Sequence, residues 1–493
     1  MAASPSSTLA HYGASLALLT DLYQLTMAYG YWKSGVVARE AVFHLHFRQS
    51  PFKGGYAIAA GLQTALDLVE RYRFSKDDTD YLATLTGNDG APLFERGFLD
   101  LLERQELTVD IDAVPEGTVV FPQEPLLRVQ GPLWQCQILE TALLNIINFQ
   151  TLIATKAARV CQATRGEPVL EFGLRRAQGI DGGLVASRAA YLGGVAATSN
   201  VLAGKLYGVP VKGTHAHSWV MSFGSEEESF EIYAQALPNN CTFLVDTFDT
   251  LTGVRRAVAV GKRLRERGHE LAGVRLDSGD LAYLSIEARR ILDEGGFPNA
   301  AIVASNDLDE TVIASLKDQG ATITVWGVGT RLVTAYDQPA LGGVYKLGAV
   351  RDPGGPWQDR IKISAQAVKT STPGVHQVRR FSDGERFIAD MIWSATKGEL
   401  SGDVAMVDPF DVTRRRVFSP ALAYEDLLVP VMRSGKRVYE DPPLDVSRAR
   451  ARAQLAMLHP SIRRALNPHE YPVGLERSLF DHKTAMVLAA RGF

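Results

Sequence analysis

Leu206-Tyr207-Gly208-Val209-Pro210-Val211-Lys212-Gly213-Thr214-His215-Ala216-His217-Ser218-Trp219-Val220-Met221-Ser222-Phe223 reads as an apolar strand, a small polar tip and an apolar helix. That unit is how an α/β protein presents side chains to a substrate. His215 and His217 are two apart, so in extended chain they share one face while Thr214 and Ala216 share the other. A histidine at such a tip can act as nucleophile, base or ligand, although a histidine pair taken alone is more often structural. A zinc site is the weaker reading. Cys136, Cys161 and Cys241 are far apart, and the chain has no Cys-x-x-Cys or His-Glu-x-x-His.

The same beat recurs on both sides. Short apolar strands follow one another at roughly 25–35 residues with helical runs between them. They are Pro168–Phe172, a stretch near Gly194–Ala197, Val209–Val211, Thr242–Val245, Ala272–Leu276, Ala301–Ala304, Ile323–Trp326 and Val344–Leu347. About eight strands at that spacing predict an irregular (β/α)8-like barrel over roughly 165–350. Upstream, Ala41–Arg48 alternates apolar residues with histidine, and Leu107–Val114, Thr118–Phe121 and Leu126–Val129 alternate likewise, giving a small mixed β domain. Downstream of Asp352-Pro353-Gly354-Gly355-Pro356 the beat is lost, and Arg360–Ser364 and Gly374–Phe381 read as strands that rejoin that domain. The expected division is 1–135 for the N-terminal β domain, 136–351 for the barrel, 352–440 for the C-terminal β segment and 441–493 for a helical tail.

Bulk composition narrows the class. The 493 residues are 46% hydrophobic and 22% charged, which is ordinary globular composition. A formal net charge of -3 gives no bias toward polyanions, so nucleic acid is not an expected partner. Three scattered cysteines fit a reducing cytoplasm. No apolar run approaches the ~20 residues that cross a bilayer. Residues 1–12, rich in Ala and Ser, read as a disordered leader without the pattern of a signal peptide.

In a barrel the residues just after each strand converge on one site. Here those tips are Phe172-Gly173-Leu174-Arg175-Arg176, Thr198-Ser199-Asn200, Thr214 with His217, Asp246-Thr247-Phe248-Asp249 and Arg275-Leu276-Asp277-Ser278-Gly279-Asp280, then Ser305-Asn306-Asp307, Gly327-Val328-Gly329-Thr330 and Lys346. Arginines, exposed glycine amides and hydroxyls suit phosphate, and aspartates beside Ser and Gly suit sugar hydroxyls or magnesium. The tips together point to an anionic sugar-phosphate substrate. At that level a phosphosugar isomerase or aldolase stays open, with Lys212 or Lys346 as a Schiff-base candidate, as does a binding protein without turnover.

These tips, with Thr20–Met27, Phe47-Arg48, Pro51-Phe52 and Leu143–Thr151, resemble the nicotinate phosphoribosyltransferase family over most of the chain. The resemblance implies the irregular barrel of a type II phosphoribosyltransferase plus a β domain built from N- and C-terminal segments. It also implies a homodimer with shared active sites. The implied reaction joins nicotinate to 5-phosphoribosyl 1-diphosphate, with ATP hydrolysis and Mg2+, in NAD salvage. His217 matches the family's phosphorylated histidine and Asp246 the acid that orients it. Tyr23, from the other subunit, and Phe172 match the aromatics that sandwich the pyridine ring. Thr214 and Arg275 match nicotinate contacts, and Arg175 a phosphate contact. Asp277 matches a ribose-side contact, with Ser305 and Asn306 at the neighbouring tip, and Gly327, Gly329 and Thr330 match the 5′-phosphate cradle. Asp277 and Asp280 are the candidate magnesium ligands. Ser199 stands about where nicotinamide-using relatives carry an aspartate, which favours nicotinate over nicotinamide. Lys362-Ile363-Ser364-Ala365-Gln366 lacks the Glu-Asp of the corresponding family stretch, and His215 matches no family role.

Overall fold

The computed structural model describes residues 15–493, so the leader expected over 1–12 lies outside the described residues. The chain divides into two units. One is the continuous stretch Ile153–Pro339; the other comprises the chain up to Leu152 together with Ala340–Phe493.

Ile153–Pro339 is built on a six-stranded parallel sheet. In spatial order its strands are Ala197–Thr198, Val169–Glu171, Val325–Val328, Ala301–Ala304, Gly273–Leu276 and Thr242–Leu244. The strands are short and largely apolar because helices cover a parallel sheet on its faces. Val169–Glu171 lies between the second strand and the last, so the sheet has curled until first meets last, as in a barrel. A polar side chain capping the helix N-terminus follows several strands directly. Asn200 accepts from the Ala203 amide, Asp249 from Thr252, Asp280 from Ala282 and Tyr283, and Asp309 from Thr311 and Val312.

The barrel is incomplete on one side. The expected Val209–Val211 strand is reduced to one parallel bridge, Thr198 to Val211, in which the Pro210 carbonyl accepts from Thr198 and the Lys212 amide donates back to Thr198. Pro210 has no N–H to offer a further neighbour. Among the described residues no backbone ladder joins this segment to Thr242–Leu244. The expected eighth strand belongs elsewhere: Gly343–Arg351 pairs antiparallel with Glu40–Phe47 in the other unit, and Lys346 goes with it. An apolar run declares that it is a strand but not which sheet will take it. The strand expected at Ile323–Trp326 sits two residues later, at Val325–Val328, which puts Gly327 inside it.

The other unit holds two larger sheets. One is antiparallel, in the order Gln358–Asp359, Gly343–Arg351, Glu40–Phe47, Leu127–Pro132, Asp110–Ala113, Val429–Arg433, Lys436–Arg437. The second runs Arg415–Phe418, Val404–Val407, Val473–Glu476, Phe387–Ser394, His376–Ser382, Ala423–Asp426. The stretch 441–493 is therefore not wholly helical. Between Leu444–Met457 and Arg477–Ala490 it contributes an interior strand, parallel to Phe387–Ser394 and antiparallel to Val404–Val407. Arg360–Ser364, expected as a strand, has no regular structure.

Two buried polar groupings lie in this unit. Arg380 Nε donates to Asp390 Oδ1 at 2.9 Å, and the Tyr471 hydroxyl donates to the same oxygen at 2.9 Å. His44 and His376 stack with ring centroids 4.0 Å apart, and the His376 amide donates to His44 Nε2 at 3.1 Å. Glu40–Phe47 is thus buried along nearly its whole length rather than half-buried.

Candidate active site

The carboxyl ends of the parallel strands carry most of the expected residues, in several hydrogen-bonded groups. Arg275, within Gly273–Leu276, donates from Nη1 to Thr214 Oγ1. Its Nε is buried without a hydrogen-bond partner. Burial pushes the Arg275 pKa down, Asp277 and then Asp246 oppose that shift, and Arg175 adds to it. A guanidinium remains charged through such a shift, so this is a half-buried cation whose enclosed Nε has unused donor capacity.

Asp246 follows Thr242–Leu244 and is buried. Its Oδ2 accepts from the Asp277 amide at 2.9 Å and from the Ser278 hydroxyl at 2.6 Å, while its Oδ1 has no hydrogen-bond partner. Asp277 Oδ1 accepts from the buried Ser305 hydroxyl. His217 opens the helix His217–Met221. Its Nδ1 lies 3.1 Å from Thr247 Oγ1, and its Nε2 lies 3.9 Å from Asp246 Oδ1 and 3.8 Å from Asp277 Oδ2. Those two separations exceed a hydrogen bond, so Asp246 faces the imidazole without bonding it. Thr247 stands in the Asp246 tip read from the sequence, where it had no role of its own.

Phe172 is half-buried, and its amide donates to the Val328 carbonyl at 2.8 Å. Its ring lies over Gly327, where a Cβ would come within 2.8 and 2.9 Å of two ring carbons. Gly329 passes the Phe172 carbonyl less closely, a Cβ there meeting it at 3.3 Å, and Thr330 begins the short helix Thr330–Val333. Under this turn sits Glu171, fully buried. It accepts from the Gly173 amide, from Ser187 Oγ at 2.9 Å and from Thr198 Oγ1 at 2.6 Å. Sequence reading counted Glu171 as strand, and its role shows only once Ser187 and Thr198 stand beside it. Ser199, half-buried, donates its amide to the Glu171 carbonyl.

The remaining residues are less tied in. Arg175 is exposed next to Arg176. Asn306 and Asp307 have φ of 106° and 35°, left-handed values that a non-glycine residue holds only under local constraint and that cluster at binding sites. Asp280 is engaged as a helix cap, which takes its Oδ1. Among the described residues no group of three or more His, Cys, Asp or Glu is arranged to hold a metal ion. Lys212 is exposed. Tyr23 lies in the other unit on Leu22–Lys33, with its side chain half exposed, and burial raises its pKa. No described helix is long and apolar enough to cross a membrane.

Comparisons with known proteins agree along the chain. Models of the nicotinate phosphoribosyltransferase N-terminal domain, family and C-terminal domain match residues 18–148, 168–351 and 375–483. A nicotinate phosphoribosyltransferase of Bacillus subtilis is 42% identical over 95% of this chain and 94% of its own. The Homo sapiens nicotinate phosphoribosyltransferase is 37% identical over 94% of this chain and 96% of its own. A crystal structure of human nicotinic acid phosphoribosyltransferase superposes with a TM-score of 0.82, covering 95% of this chain and 99% of that one at 34% identity.

Proposed function

The chain belongs to the nicotinate phosphoribosyltransferase family, and from that premise we propose that it makes nicotinate mononucleotide. Nicotinate and 5-phosphoribosyl 1-diphosphate would be the substrates, diphosphate would leave, and ATP hydrolysis through a phosphohistidine at His217 would drive the reaction. The observation that carries the reading is Arg275, a half-buried guanidinium with an enclosed, unpartnered Nε beside Thr214. A planar carboxylate is the ligand such a group needs, since a buried charge lacking a full set of partners is unfavourable. Phe172, braced by Gly327 and Glu171, offers a ring face for the pyridine, and Tyr23 is assigned the opposite face across a homodimer. Strongly exposed Ile180, Val201, Met221 and Phe248 support that homodimer. Ser199 puts no carboxylate near the base, which favours nicotinate over nicotinamide.

In the reaction the pyridine nitrogen forms a bond to the anomeric carbon as the bond to diphosphate breaks. Positive charge grows on the ribose, and the leaving group carries the electron pair away. The enzyme's part is positioning and charge matching. Asp277 and Ser305 are assigned the ribose side, together with Asn306. Gly329 and Thr330 are assigned the 5′-phosphate, and Arg175 the diphosphate. The donor set fits magnesium arriving on the diphosphate, with Asp277 as the protein carboxylate that meets it; Asp280, engaged as a cap, is less suited. When bound, the ion would neutralise charge on the leaving diphosphate.

For the ATP step the two imidazole nitrogens differ. Nε2 faces two carboxylates, which favour a proton there and repel an incoming phosphate. Nδ1 faces only the Thr247 hydroxyl and is the nucleophile, bonding to the γ-phosphorus as the bond to the β-phosphate oxygen breaks and ADP leaves with that electron pair. Asp246 then stabilises the charged ring, and water releases phosphate from His217. Three cysteines scattered along the chain, Cys136, Cys161 and Cys241, support a cytoplasmic location.

The test is mononucleotide formation from nicotinate and from nicotinamide, with phosphoribosyl diphosphate and magnesium, with and without ATP. Nicotinate should react in preference, ATP should stimulate, and His217→Ala should lose the stimulation. Preference for nicotinamide would refute the role given to Arg275 and Ser199.

A further inference from the structure

His215 takes no part in the chemistry above, yet it is buried beside the site. It is 8% exposed, with its ring centroid 6.1, 5.0 and 6.3 Å from those of Phe230, Tyr233 and Phe243. Its Nε2 accepts from the Leu244 amide at 3.3 Å. Leu244 ends the Thr242–Leu244 strand, whose ladder partner on one side is Gly273–Leu276. On its other side the barrel has its gap, since the Val211 segment stops after one bridge. A side-chain nitrogen therefore takes an edge amide of that strand, at the place where the next strand's carbonyl would stand in a complete barrel. Burial lowers the His215 pKa to about 4, against a smaller opposite effect of the Ala216 backbone, so the ring is neutral at neutral pH, and the Leu244 amide takes the lone pair on Nε2.

The consequence lies two residues further along both chains. From His215 the chain reaches His217, and from Leu244 it reaches Asp246, whose unpartnered Oδ1 faces His217 Nε2 at 3.9 Å. The two pairs keep the same offset, as rungs of one parallel ladder do. The neighbour on the other side, Thr214, holds Arg275. We infer that His215 is a positioning residue that closes the barrel seam and thereby sets Asp246 against His217. This rests on the reading of His217 as the phosphoryl acceptor.

The experiment compares His215→Phe, which keeps a buried ring without an acceptor, with His215→Gln, whose side-chain carbonyl can reach the same amide. Label transfer from γ-labelled ATP to His217, hydrogen exchange over the 242–246 segment and the His217–Asp246 separation in crystals are read for each. Expected for His215→Phe is a loss of labelling of about 10- to 100-fold, faster exchange and a wider separation. His215→Gln should keep labelling within about threefold of the parent and its exchange slow. Added to His217→Ala, His215→Phe should change the ATP-independent rate little. Equal labelling in the parent and His215→Phe, or a matching further loss in the His217→Ala background, would overturn the inference, the second by showing a general role in the fold. If the parent itself takes no label, the phosphohistidine reading has failed. Exchange and the crystal separation then decide the positioning role alone, an unchanged His217–Asp246 separation overturning it.

Discussion

Replacing Arg275 by Met keeps a long, flexible chain in the same space and removes the charge. The residue loses one hydrogen bond within the protein, to Thr214. Removing one partner of a buried charge pair costs about 2–5 kcal/mol in binding. Here the Arg275 charge is already shared with Asp277 and Asp246, which oppose its downward shift, so the lower part of that range applies. About 2–3 kcal/mol is a fall of roughly 30- to 150-fold in kcat/KM for nicotinate. The carboxylate is present before and during glycosyl transfer, so the loss belongs mostly in KM. Nicotinamide carries no charge to lose, and its smaller rate should move less than about threefold, so the two bases converge. Initial rates over a concentration series with both bases supply the measurement, with a thermal melt to show that the variant folds. A parallel fall for both bases, or a nicotinate KM that stays put, would refute Arg275 as the carboxylate contact.

Other perturbations test other parts. Gly327→Ala places a methyl 2.8–2.9 Å from the Phe172 ring; the ring must move, nicotinate KM should rise about tenfold, and stability should fall by about 1–3 kcal/mol, checked by steady-state kinetics and urea melts. Asp390→Ala strands Arg380, which is 1% exposed, and should cost about 3–5 kcal/mol by the same melts with little change in KM. His376 and His215 are held neutral by burial with pKa near 4. Folded pKa values below the unfolded 6.5 mean that their contribution is intact above about pH 6.5 and is lost as pH falls toward 4. At pH 5 each should cost about 2 kcal/mol. His44, lowered mainly by burial and also by His376, adds in the same direction. The urea midpoint should therefore drop steeply between pH 7 and 5, and His376→Phe should flatten that slope.

The parallel strands and their tips were legible because a βα repeat writes its period into the sequence and because chemistry collects where strands end. What misled was local in form but decided at long range. Val344–Leu347 has the character of a barrel strand, yet its partner is Glu40–Phe47. Val473–Glu476 lies between two helices, so nothing in its neighbourhood announces a strand inside a sheet. At the site, Thr214, His217, Asp246, Arg275, Asp277 and Ser305 were found by type and place. Glu171 was read as strand and Thr247 only as part of a tip, because their importance lies in what faces them, and Asp280, named as a metal ligand, also caps a helix. The histidine that matched no role sits beside the one that did, and only a three-dimensional gap gives it meaning.

The pairing of Glu40–Phe47 with Gly343–Arg351 also sets a timetable for biosynthesis. At about 5–20 residues per second, the early strand waits on the order of 15–60 s for its late neighbour to be translated. Leu127–Pro132 covers one of its edges early, and the other stays open. Meanwhile Ile153–Pro339, continuous in sequence, has every segment it needs to fold while the ribosome is still at work. A nascent chain of this enzyme thus carries one finished unit and one unfinished, and the open strand edge is the surface that a cell must keep from finding the wrong partner.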